Sequence, residues 1–169
     1  MDSSLAIIEF IRSAFANVSR GAVSLHEAYV IDYGGSMEER KLAREKDTDS
    51  NWQQVPDETL EGFPYALHFV DIQSWRYYIP AFMIWVLKNY RTSQSMTMNT
   101  IFSTLDVTGE AEWGLRPRTI ERFHSLDRNQ SQAVFRFLKF ISAESDPEDD
   151  MAAQCLEAYW SQFGDQWQF

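Results

Sequence analysis

Asp71, Arg76, Tyr77 and Tyr78 stand out chemically because they lie in FVDIQSWRYYIPAFMIWVL, residues 69–87, whose second half is continuously apolar around one proline. Charges beside such a run are costly to bury alone. Asp71 and Arg76 are therefore expected to form an ion pair or a hydrogen-bonded turn, with Asp32 as a further partner. The same groups suggest a second use: a small polar pocket walled by Trp75, Tyr77 and Tyr78, with His68 nearby, that could hold a ligand or an enzymatic site.

Other constellations resolve into local roles. Asp47, Asp49, Asn51 and Glu58 fall on the oxygen-ligand positions of a calcium loop, but Trp52 stands where the sharp turn needs glycine and Pro56 interrupts the tenth place. A solvated turn with capping carboxylates is the reading there. His26-Glu27 opens like a zinc-protease helix, yet Val30 replaces the second histidine, so Glu27 reads as the acid of a capping box on Ser24. His26, His68 and His124 are far apart in sequence, and Cys155 sits on an apolar stripe among acids and aromatics, which suits a structural thiol rather than a nucleophile. No G-x-S-x-G, P-loop or G-x-G-x-x-G sequence occurs. The expected metal and cofactor sets are empty, and the balance leans away from an enzyme.

The elements that position these residues read as mainly α. Apolar positions recur at helical spacing after Ser3 or Ser4, with Leu5, Ile8, Ile11, Phe15 and Val18 on one side, and Gly21 ends that stretch. Ser24 and Ser36 each precede an acid by three residues, predicting two capped helices separated by Gly34-Gly35. Trp52 is the expected anchor of the turn-rich segment that follows. Residues 66–79 carry strand propensity, predicting a short β-hairpin or extended segment, and Pro80 then suits the first position of a buried helix over about 80–90. RTSQSMTMNT and VTGEAEWGLRPRT read as loops. Asp127 with Gln130 predicts another capped helix. A last helix is expected over 147–163, with Asp146 as its cap, Pro147 in first position and Glu148, Asp149 and Asp150 at its positive end.

Composition limits the function classes. The chain has 169 residues, 44% of them hydrophobic, enough for the single domain expected over 1–169. A net charge of −10 argues against nucleic acid, since phosphate recognition needs clustered Lys and Arg. Asp71, Gln73 and Arg76 interrupt any window of the roughly 20 apolar residues a membrane span needs. One cysteine excludes an internal disulfide framework, and the start MDSSLAIIEF lacks a basic-then-apolar leader pattern. A cytoplasmic location is the expectation.

The segments LHEAYVIDYG, EERKLAREKDTDSNW, FVDIQSWRYYIPAF and LDRNQSQAVFRFLKF, in that order, resemble an uncharacterised bacterial domain family of unknown function with an F-x-D-x-x-x-x-R-x-Y-x-P-A core. The resemblance covers about Leu25 to Phe140, with Asp32, Asp47, Trp52, Asp71, Arg76, Pro80, Ala81 and Gln130 on motif positions. Ser74-Trp75 departs from the pattern, and the last helix lies outside it. The family brings no activity. Acidity, aromatic richness and the lack of a catalytic set lead to the expectation of a non-enzymatic intracellular protein-binding domain, for instance an immunity or regulatory partner. The alternative is the pocket around Asp71, Arg76, Tyr77 and Tyr78. A homo-oligomer through Tyr159 and Trp160 of the last helix is a further expectation.

Overall fold

The computed structural model describes residues 3–108, 116–146 and 150–164, apart from the side chain of Arg116. The helices are α1 (Ser4–Ala14), α2 (Leu25–Asp32), α3 (Met37–Arg44), α4 (Asp57–Gly62), α5 (Ala66–Phe69), α6 (Ile72–Asn89), α7 (Thr97–Leu105), α8 (Arg116–His124), α9 (Arg128–Glu144) and α10 (Met151–Ala158). Two short 3₁₀ turns, Trp52–Gln54 and Trp160–Phe163, complete them. The described residues contain no strand.

The centre is α6. From Trp75 to Leu87 every residue except Arg76 is buried, and the helix packs against α1, α4, α5, α7, α8 and α9. A helix apolar all round can exist only when neighbours cover every side. This corrects the hairpin expected over 66–79: that segment is α5, a break at Val70-Asp71, and the first half of α6. The helix does not begin at Pro80. It begins at Ile72, where the Asp71 carboxylate caps it by accepting from the Ser74 amide at 3.0 Å, and it runs straight through Pro80. The β-branched and aromatic residues that suggested a strand are the same residues that pack well on all sides of a buried helix, and tertiary packing overrides their propensity.

Elsewhere caps set the boundaries. Ser3 accepts from the Ala6 amide, and Ser36 with Glu39, like Asp127 with Gln130, forms a complete capping box. Gly34 closes the α2–α3 turn at φ +75°, a conformation that costs glycine little. In α1 the buried face is Ile7, Ile8, Ile11 and, just beyond it, Phe15, whereas Leu5 stands 72% exposed. Trp52 anchors its segment as expected, buried and donating from its indole to the Phe15 carbonyl at 2.9 Å.

Three segments differ from their sequence reading. The last four residues of RTSQSMTMNT belong to α7, in which Thr97, Thr100 and Thr104 are core residues whose hydroxyls donate to the carbonyls of Leu60, Met96 and Ile101. The loop expected over 107–119 ends in α8; residues 109–115 lie outside the described residues. The last helix is described from Met151, under an Asp150 cap, to Ala158; the expected start at Pro147, with Glu148 and Asp149, lies outside the described residues. Trp160 is fully buried, donating to the Leu105 carbonyl at 2.9 Å, and Tyr159 packs on Phe123, Trp160 and Phe163. Of the two aromatics expected to mediate self-association, Trp160 is thus part of the core and Tyr159 is partly buried against it.

Candidate functional site

Of the six residues singled out from sequence, Tyr77 and Tyr78 meet edge to face with ring centres 4.9 Å apart, and the six do not form one site. Asp71 accepts from the Val23 amide at 2.8 Å and the Ser74 hydroxyl at 2.8 Å, in addition to its cap. Burial alone would raise its pKa, but these donors outweigh burial and hold the carboxyl below its usual range. Gly21 allows this approach: a Cβ there would meet the Ser74 nitrogen at 2.7 Å and the Asp71 carboxylate closer still. Arg76 turns to α9, donating to the Gln130 side chain at 2.9 Å with Asp127 at 3.9 Å. The expected Asp71–Arg76 pair is therefore replaced by two separate attachments, because successive helix positions five apart point to different neighbours. Asp32 is exposed on α2, and the His68 ring meets the Ser103 hydroxyl at 2.9 Å. A cavity of ≈ 60 Å³ is lined by Trp52, Leu60, Ile84 and Trp85 with Arg12 and Lys88. None of the six borders it.

Tyr77 belongs to a different network. Its hydroxyl donates to Asp49 at 2.7 Å; Arg20 spans the Asp49 carboxylate at 3.3 Å and the Asp47 carbonyl at 2.9 Å; Asp47 in turn holds His26. Burial, then the neighbouring carboxylates, push the Tyr77 and Tyr78 phenols well above their usual range, so both are neutral groups. Asp47 and Asp49, two of the carboxylates that resembled calcium ligands, are thus occupied by a tyrosine, an arginine and a histidine, while Glu58 stands exposed on α4. Asp47 also corrects the Ser24 capping box. Its second oxygen accepts from the His26 amide at 3.0 Å, so the cap of α2 comes from a distant loop, while the Ser24 side chain makes no cap bond.

Glu27, freed from that role, is buried under α3. Arg44 donates to it at 2.7 and 2.5 Å and Arg40 at 3.1 Å. Burial would push the carboxyl up, but the two guanidinium groups win and it lies below its usual value. Glu27 therefore locks α2 to α3 from beneath.

The outer surface of α2 carries what the sequence reading passed over. His26, Tyr29 and Tyr33 recur at i, i+3 and i+7, and Phe63 at the end of α4 leans on them. His26 and Phe63 lie 4.6 Å apart, Phe63 and Tyr29 5.1 Å, and Tyr29 and Tyr33 5.4 Å between ring centres. Tyr29 is 49% and Tyr33 56% exposed, and Met37 across the turn is 72% exposed. The signal was visible as a shared face of α2, but apolar periodicity alone reads as core. The arrangement can present π-faces and phenol hydroxyls to another molecule from a support fixed by Glu27 and Asp47.

The sequence profile of DUF6714, a family of unknown function, matches residues 3–163. The chain belongs to that family. The DUF6714 match includes α1 and α10, which the motif resemblance over 25–140 left out. No curated protein and no solved structure matches the chain. Among the described residues, no helix of this DUF6714 member is long and apolar enough to cross a membrane.

Proposed function

We propose that this chain is a non-enzymatic protein-binding domain, of the regulatory or immunity type, that meets its partner through the aromatic row on α2 and α4. The observation that carries this reading is the half-exposed pair Tyr29 and Tyr33 on a helix immobilised from below. Tyrosine is enriched at interface centres because it offers large contact area at low conformational cost. The polar groups considered for a pocket, Asp71, Arg76, Tyr77 and His68, each bond within the fold, to Ser74, Gln130, Asp49 and Ser103. A single buried thiol is compatible with a reducing compartment, and a cytoplasmic location is part of this proposal.

The test is site-specific photo-cross-linking in cells that also express the neighbouring genes. A benzophenone amino acid at position 33 should give a discrete protein adduct that is lost on adding Tyr29→Ser, whereas the same group at the exposed Leu5 on α1 should not. Equal labelling at both positions, or no adduct at position 33, would overturn the reading.

A further inference from the structure

Resting on the protein-binding reading, we infer that the aromatic row is a cation-recognition surface, and that its partner presents an arginine- or lysine-rich segment. The first support is the way the two contributing helices end. Tyr33 is the C-cap of α2 and Phe63 the C-cap of α4, and neither helix has a basic residue in its last turn. Tyr33 thus stands at the negative end of the α2 dipole, and Phe63, which packs on His26 and Tyr29, at that of the short α4, each without the compensation that Lys or Arg commonly supplies. Exposed Tyr faces add the negative centre of the ring quadrupole, the usual seat for guanidinium or ammonium.

Fixed charge points the same way. Asp32 is exposed on α2 between Tyr29 and Tyr33 in sequence, and Glu38 and Glu39 are exposed in the first turn of α3, just across Gly34-Gly35. Of the bases on this hairpin, Arg40 and Arg44 are committed to Glu27, which leaves the exposed Lys41 of α3 against Asp32, Glu38 and Glu39. The whole chain carries −10, so a cationic segment is drawn to it from a distance, while an anionic ligand or a second copy of the chain is repelled. Aromatic faces then decide where on the acidic surface that segment settles.

The probe is a fluorescein-labelled Arg-Gly repeat peptide, with its citrulline counterpart as an isosteric neutral control, titrated against the full chain by fluorescence anisotropy. The arginine peptide should bind at least about tenfold more tightly than the citrulline one, and the Tyr29→Ser/Tyr33→Ser double variant, whose charge is unchanged, should lose about tenfold, the scale of two exposed cation–π contacts. Tyr33→Phe, which keeps the ring, should retain most of the binding, and Leu5→Ser should match the wild type. Unchanged affinity in the double variant would mean diffuse attraction to an acidic surface and would overturn the inference. So would equal binding of the citrulline peptide, the result expected of a neutral ligand such as a carbohydrate. Matched thermal melts show that each variant is folded. A position-33 cross-link without arginine-peptide binding would leave the docking surface standing and sink only its cationic partner.

Discussion

The first half of α6 and the α2–α3 hairpin use the same kinds of residue to opposite ends. Around Asp71–Tyr78 the aromatic side chains are buried and each charge is turned toward backbone or side-chain partners of the same chain. On the hairpin the buried carboxylate Glu27 lies inside and the aromatics lie outside. A charge beside an apolar run therefore marked a joint between elements, whereas exposed rings above a buried ion cluster mark a surface that is held still and left uncovered. Position relative to the core separates the two roles.

The comparison can be broken by mutation. The largest effect is expected for Asp71→Ala, which removes the α6 cap and strands the Val23 amide; a loss of about 3 kcal/mol in urea unfolding follows from the two together. A loss under about 1 kcal/mol, on the scale of a minor solvent-exposed contact, would mean that Asp71 is not the joint described.

Glu27→Gln should cost about 2 kcal/mol at pH 7, below the cost of breaking a wholly buried pair because Arg40 and Arg44 can turn to water. Its pH dependence sharpens the point. The carboxyl of Glu27 sits below its unfolded value, so its contribution is complete above about pH 4.3 and is lost as pH falls through the lower folded value. Asp71 shifts in the same direction. In unfolding series between neutral and acid pH, the gap between wild type and Glu27→Gln should close toward the acid end, and a gap that widens there would contradict the assignment.

On the outer surface, Tyr29→Ser/Tyr33→Ser should change stability by less than about 1 kcal/mol in the same assay, since the side chains are half exposed and the bracing groups are untouched. A loss as large as that of Glu27→Gln would make the row a packing feature. The smallest effect is expected at Cys155, whose thiol is buried against the Phe102 carbonyl and pushed up to about 12 by burial and by the nearby carboxylates. Thiol-titrating reagents at pH 8 should leave it unmodified until the chain is denatured.

Caps and stripes were the legible part of the fold. Ser36 with Glu39 and Asp127 with Gln130 act locally, within four residues, and both are built as their spacing predicts. Trp52 was also readable, since one large apolar group in a polar segment has few places to go. What escaped depends on distant partners. Asp47 caps α2 from another loop, and Arg122, fully buried, donates to the carbonyls of Leu67 and His68 at the end of α5. The threonines of α7 concealed a core face because each is buried with its hydroxyl satisfied, Thr100 and Thr104 backward along the helix and Thr97 by the Leu60 carbonyl of α4. For the candidate site, the i, i+3, i+7 pattern on α2 was visible, but which face turns outward depended on Glu27 being drawn inward by α3.

The hydrogen bonds that hold α2 have a consequence for how this chain can diversify. Asp47, Glu27, Arg40 and Arg44 fix the helix, and none of them is among the rings it displays. Support and display are thus written in different residues. On the proposed reading, substitutions at positions 29 and 33 would retune what is recognised while the bracing groups, and the stability they supply, stay unchanged.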